Sequence, residues 1–179
     1  GGELALARAV AFPPEKIYFH GNNKGTQELE MAMEQQVGRV VVDNLHELHV
    51  LNDLAGEVGR VQDILLRISP GVDPHTHAHT TTGILDSKFG LPIETGQAEE
   101  ALLQASTLPN INLVGLHFHL GSPIFELEPY AIAMDVLLSF AARMKEQFNL
   151  KEVSPGGSAS MLLLQSGKIQ INPSRGAAA

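Results

Sequence analysis

The chain alternates between short apolar runs and longer segments in which apolar residues recur at three- and four-residue spacing. The short runs are "KIYF" (16–19), "RVVVD" (39–43), "DILLRIS" (63–69), "NLVGLHFH" (112–119) and, weakly, "LKEVS" (150–154). Their length and their β-branched content predict strands. The longer segments are "GELALARAV", "TQELEMAMEQQ", "LHELHVLNDLAGEV", "GQAEEALLQAS" and "YAIAMDVLLSFAARMKEQF". Their spacing gathers apolar side chains on one face of a helix. Strands that are apolar along their whole length, alternating with helices, imply a parallel sheet buried on both faces. Two architectures do this, the doubly wound sheet and the (β/α)8 barrel.

Polar residues gather where the predicted strands end. "HGNNKG" (20–25) follows the first, "DNLHE" (43–47) the second, "RISPGVDPHTHAHTTTG" (67–83) closes the third, and "HFHLGS" (117–122) the fourth. In either architecture ligands bind at the carboxyl ends of the strands. No GxGxxG or GxxxxGK[ST] pattern follows a strand, which counts against a dinucleotide fold or a phosphate-loop NTPase. The pattern therefore favours an α/β fold built as a partial (β/α)8 TIM-like barrel of about five parallel strands with intervening helices.

Composition narrows the function. The 179 residues are 44% hydrophobic and 18% charged, enough for one globular core. A formal charge of -8 leaves no basic stripe for phosphodiester backbones, so nucleic acid is not an expected partner. With no cysteine there is no thiolate nucleophile, disulfide framework or Cys-based zinc site. No run approaches the length of a membrane span and the first residues lack a signal-peptide layout, so a cytoplasmic protein without a membrane partner is expected.

The segment from Arg67 to Pro92 is broken by Pro70, Gly71, Pro74 and Gly83 and reads as a long binding loop or lid. His75, His77 and His79 within it suggest a metal cluster, yet no Asp, Glu or Cys sits at a useful offset, so an exposed polar loop is the better reading. Lys88 lies in "LDSKFG" (85–90), either a solvated turn lysine or a neighbour of an active site.

His117 and His119 stand two apart on a strand, so they share one face while Leu116, Phe118 and Leu120 take the other. Three readings compete: a satisfied buried pair, two metal ligands, or an imidazole packed against a flat cofactor. Gly121 and Ser122 follow, where a glycine permits close backbone approach and a hydroxyl can hold an anion. This combination suggests a planar, phosphorylated ligand.

Six blocks, "GGEL" (1–4), "KIYFHGNNKG" (16–25), "VVDNLHEL" (41–48), "LLRISPGVD" (65–73), "TTGILDSKFG" (81–90) and "GLHFHLGS" (115–122), resemble in this order the central barrel of the diaminopimelate decarboxylases, pyridoxal-phosphate enzymes of the alanine racemase-like barrel class. The "FHGNNK" and "LDSKFG" blocks are more similar to that group than to ornithine or arginine decarboxylases. The resemblance implies pyridoxal 5'-phosphate as cofactor, with His119 stacked on its ring, Ser122 on its phosphate and Gly156 and Gly157 beside it. Arg67 matches a position on the cofactor side of the barrel, its other reading being a cation paired inside the barrel. His117 and Lys88 match family blocks as possible active-site neighbours without an assigned role. The implied reaction is decarboxylation of meso-2,6-diaminopimelate to L-lysine in lysine biosynthesis, by a homodimer. Asn23 and Lys24 read as caps of the next helix, and Glu3 and Glu47 as first-turn carboxylates at helix dipoles.

The same resemblance carries departures. The family's Schiff-base lysine belongs to a strand before "GGEL", so no catalytic residue is assigned here. The glycine triplet of the family is represented only by Gly156 and Gly157, after which residues 158–179 resemble nothing, although "MLLLQSGKIQI" can form a hairpin around Ser166 and Gly167. The expected organisation is a partial cofactor-binding barrel over 1–157 and an unmatched tail over 158–179. The expected function is a diaminopimelate decarboxylase fragment, inactive alone. The alternatives are a non-catalytic phosphate- or cofactor-binding remnant, another decarboxylase of the same barrel class, and a metal-dependent hydrolase using the H-x-H pair.

Overall fold

The computed structural model describes residues 2–72, 89–121 and 127–156. Helix α1 (Gly2–Ala9) is followed by β1 (Tyr18–Phe19), α2 (Thr26–Glu34), β2 (Arg39–Val42), α3 (Leu45–Glu57), β3 (Gln62–Ser69), β4 (Leu91–Pro92), α4 (Gln97–Thr107), β5 (Ile111–Phe118), α5 (Glu128–Met144) and β6 (Glu152–Pro155). Each of the five expected strands and five expected helices is present. The two-residue β4 is additional: it pairs with the end of β3, Ile68 against Leu91 and Ser69 against Pro92. A run that short and ending in proline carries no strand signal of its own.

All pairings are parallel, in the order β1-β2-β3-β5-β6 with β4 beside β3. The helices start where local chemistry dictates. Asn44 caps α3 by accepting the Glu47 N–H at 2.9 Å, while α4 starts after Gly96 at φ 80, in the left-handed region.

Alternation along the strands then sorts the side chains into two sets. Val40, Val42, Ile64, Leu66, Ile68, Leu116 and Phe118 join the main core with residues of the helices, such as Leu48, Leu51, Leu102, Tyr130 and Leu137. On the opposite face Val41, Leu65 and Val114 form a small separate cluster.

That second face is concave. Tyr18 of β1 donates its hydroxyl to Glu152 Oε2 of β6 at 2.9 Å, although three strands lie between them in the sheet. Four inter-strand spacings on a flat sheet amount to about 19 Å, beyond the reach of a tyrosine and a glutamate. The sheet must therefore curl, which makes it a half-barrel. Arg39 lies inside the curl, its Nη2 at 2.7 Å from Glu152 Oε1 and its Nη1 at 2.9 Å from Asp63 Oδ2. Asn112 completes the set through Asp63 at 2.7 Å. Gly115 makes the curl possible on the β6 side. A Cβ there would sit 2.2 Å from the Glu152 carbonyl oxygen.

The concave face is thus layered: an ionic row of Tyr18, Arg39, Asp63 and Glu152, the apolar trio above it, and a polar row at the carboxyl ends. The ionic row is partly exposed, so its loss should be modest. Glu152→Gln is expected to lower stability by about 1–2 kcal/mol, read as a shift of the urea midpoint at unchanged slope. Among the described residues, no helix is long and apolar enough to cross a membrane.

Candidate functional site

The carboxyl ends of the strands bring together residues far apart in the chain. His20 follows β1, Asp43 follows β2, Arg67 is near the end of β3, His117 is near the end of β5, and Ser154 and Gly156 lie at the end of β6. All occupy the concave side: His20, Asp43, Arg67, Ser154 and Gly156 are two or four positions from a residue of the lower rows, and His117 is brought level with Arg67 by the register shift between β3 and β5.

Arg67 is buried, and its Nη1 lies 2.7 Å from Asp43 Oδ1. The same nitrogen donates to Asn22 Oδ1, and the guanidinium stands over the Phe89 ring, 5.4 Å from its centroid. It is therefore both paired and on the concave side, which are the two readings the sequence left open. The carboxylate and the amide hold it in one orientation.

His117 is 3% exposed. Its Nδ1 is 3.3 Å from Ser154 Oγ, and its ring is 5.5 Å from that of His20, tilted by 38°. Burial, together with the nearby His20, Arg67, His119 and Lys24, pushes its pKa down to about 3. His117 is consequently neutral across the physiological range. The same causes, burial first, lower His20 and His119. Three imidazoles thus remain uncharged beside a fixed cation.

His119 lies just past the end of β5 and is half-buried. Its Nδ1 is buried with no hydrogen-bond partner among the described residues. Gly156 donates its N–H to Phe118 O at 2.7 Å, and a Cβ there would fall 2.7 Å from His117 Cε1 and 2.8 Å from His117 Nε2. Only a glycine lets the β6 backbone come this close. Backbone at close approach, a neutral imidazole with an unused nitrogen and an oriented guanidinium suit a flat heteroaromatic ligand that carries an anionic group.

The structure thus brings together four of the residues singled out from sequence, Arg67, His117, His119 and Gly156. Ser122, Gly157 and Lys88 lie outside the described residues, as do His75, His77, His79 and the tail 158–179. Asn23 and Lys24 are not helix caps, because Gly25 holds the cap position of α2. Instead Lys24 is buried, with Nζ 2.8 Å from Glu47 Oε1 and side-chain exposures of 2% and 3%. Glu47 does occupy the first turn of α3, and Glu3 that of α1, but the dipole reading of Glu47 omitted its ion pair. His20, Asn22, Asp43 and Ser154 were not singled out as individual residues. Their signal is position alone, at or just beyond the carboxyl end of a strand. Among the described residues no group of three or more His, Asp or Glu side chains is arranged to hold a metal ion.

Comparison with known proteins places this geometry in context. The family model described as "Pyridoxal-dependent decarboxylase, pyridoxal binding domain" matches residues 1–162. The diaminopimelate decarboxylase of Bacillus subtilis (strain 168) is 43% identical over 159 residues, covering 88% of this chain and 36% of that protein. That of Bacillus methanolicus is 47% identical over 133 residues, covering 74% of this chain and 31% of that protein. Among solved structures, diaminopimelate decarboxylase from M. jannaschii in co-complex with L-lysine superposes with a TM-score of 0.79 at 34% identity, over 87% of this chain and 36% of that one. The chain spans about a third of the length of these relatives.

Proposed function

Because the chain belongs to the pyridoxal-binding domain family of the pyridoxal-dependent decarboxylases, we propose that it is the cofactor-holding part of a diaminopimelate decarboxylase, which converts meso-2,6-diaminopimelate to L-lysine. The observation that carries this reading is the polar row at the carboxyl ends, where His119 presents a neutral imidazole beside Arg67 and Gly156. Pyridoxal phosphate, when bound, supplies an electron sink for the electron pair left as carbon dioxide departs. This chain's share is to hold that group.

His119 offers the flat face for the ring, and its neutrality spares it repulsion from Arg67. Ser122, Gly156 and Gly157 hold the phosphate, and Arg67 keeps one orientation because Asp43 and Asn22 fix it. His117, wedged between Ser154 and Gly156, props the strand end from below. Lys88 is a neighbour of this site in the same reading. The domain in this reading covers 1–157, with 158–179 an unmatched tail. The protein works in the cytoplasm, as a homodimer, without nucleic acid or membrane.

Lys24 cannot be the nucleophile that anchors the cofactor. Its Nζ faces Glu47 and donates to Gly21 O at 3.0 Å and Val41 O at 2.7 Å, so it is buried and tied down away from any incoming carbonyl. Titration of the purified chain with pyridoxal phosphate is expected to raise its melting temperature by about 5–10 °C at a hundredfold excess over Kd. Borohydride reduction followed by peptide mapping is expected to leave Lys24 unlabelled. Absence of any stabilisation would defeat the proposal. Carbon dioxide released from added meso-diaminopimelate would show that this span carries the whole reaction, whereas binding without turnover would limit it to the cofactor-holding share.

A further inference from the structure

We propose that the buried pair of Lys24 and Glu47 is a positioning device, which holds the loop between β1 and α2 over the mouth of the half-barrel and so sets His20 and Asn22 against His117 and Arg67. Lys24 draws three segments together. Its Nζ donates to Gly21 O within the loop and to Val41 O near the end of β2, and it meets Glu47 Oε1 in the first turn of α3. The ammonium thus has two carbonyl acceptors and an adjacent counter-charge, whose carboxylate oxygens have no hydrogen-bond partner of their own among the described residues. Glu47 is in turn held by its own N–H on Asn44 Oδ1 at 2.9 Å.

The loop needs such a hold. Asn23 adopts φ 67, a left-handed conformation that asparagine tolerates but does not prefer to extended backbone. Asn22 is itself exposed, yet its Oδ1 accepts from the same Arg67 Nη1 that meets Asp43. His20, at the start of the same loop, lies against the His117 ring with centroids 5.5 Å apart. A connection that merely joined a strand to a helix would have no use for a buried charge. Apolar residues of similar volume often fill such a position with no loss of stability. What the buried ammonium supplies is direction, because the Gly21 and Val41 carbonyls accept along defined lines while the Glu47 carboxylate keeps the charge in place.

The inference rests on the proposed cofactor site only for its effect on binding. The loop geometry itself is read without ligand. The test is the double variant K24M/E47L, which keeps the volume and removes the charges and both carbonyl tethers. We expect a melting temperature close to that of the parent, loss of the nuclear Overhauser contact between the His20 and His117 ring protons, and pyridoxal phosphate binding weakened about tenfold. The exposed variant Asn22→Ala, which leaves the core untouched, is expected to weaken binding severalfold with no change in melting temperature, and it decides the matter if the double variant does not fold. A persistent His20–His117 contact in the double variant, or unchanged affinity in Asn22→Ala, would overturn the positioning role. If the parent chain does not bind pyridoxal phosphate, the functional proposal fails, while the ring contact still tests the loop.

Discussion

Replacing Arg67 by methionine is expected to cost about 3–5 kcal/mol of folding stability and to weaken pyridoxal phosphate binding at least tenfold. The size of the first effect comes from Asp43. Its carboxylate is buried, and the Arg67 Nη1 at 2.7 Å is its counter-charge. Methionine matches much of the aliphatic stem, so little packing is lost and the stranded carboxylate dominates. For a domain whose total stability is about 5–15 kcal/mol, that is a large share. Urea unfolding of the variant measures it directly. Adding Asp43→Leu should restore most of the stability, since removing both charges abolishes the stranded one, but it should not restore binding. Recovery of binding in the double variant would mean that Arg67 serves the fold alone. A loss below 1 kcal/mol in the single variant would mean that Asp43 has another partner.

The division between what Arg67 does for the fold and for the site mirrors what could be read from the chain. Strand and helix periods placed every major element, because "RVVVD", "DILLRIS" and "NLVGLHFH" carry their burial in their own residues. The shared face of His117 and His119 and the opposite face of Leu116, Phe118 and Leu120 followed from the two-residue period alone, and the core contains Leu116 and Phe118, with Leu120 packed against it. A rule of position, that chemistry gathers at the carboxyl ends of parallel strands, pointed to the candidate site.

Pairings across elements were not legible. Nothing in the spacing of Lys24 and Glu47 says that one turns inward to meet the other, because the choice between a solvated cap and a buried ion pair depends on where α3 sits over the β1–α2 loop. His20 and Asn22 were hidden for the same reason. They sit in a polar run that looks like any solvated loop until Arg67 and His117, tens of residues away, arrive beside them. The ionic row of Tyr18, Arg39 and Glu152 depends on the curl of the whole sheet, a property no single strand encodes. Local period gives elements, and long-range closure gives partners.

Acid should unfold this chain earlier than its carboxylates alone would require, and His117 is the reason. An imidazole in the unfolded chain titrates near 6.5, whereas in the folded chain burial lowers His117 to about 3. Between those values the unfolded state binds a proton that the folded state refuses. The stabilisation from keeping the ring neutral is therefore complete above about pH 6.5 and is lost as the pH falls toward 3. On this one group the loss is about 2 kcal/mol at pH 5 and about 4 kcal/mol at pH 3. His20 and His119 are lowered as well and act in the same direction. Glu47 opposes them, because burial raises its carboxyl and the folded state takes up a proton there already above the ordinary carboxylate range. Glu152, lowered by Arg39, adds to the loss only below the ordinary carboxylate range. Glu47, His20 and His119 are common to the parent and a His117 variant, so the difference between their two profiles from pH 7.5 to 5 isolates His117. Urea unfolding across that window should show the parent losing about 2 kcal/mol more than His117→Asn, which can still meet Ser154 but cannot be protonated and starts lower at pH 7.5. Parallel pH profiles for the two proteins would mean that His117 can be charged where it stands, and the neutral prop under the strand end would have to be abandoned.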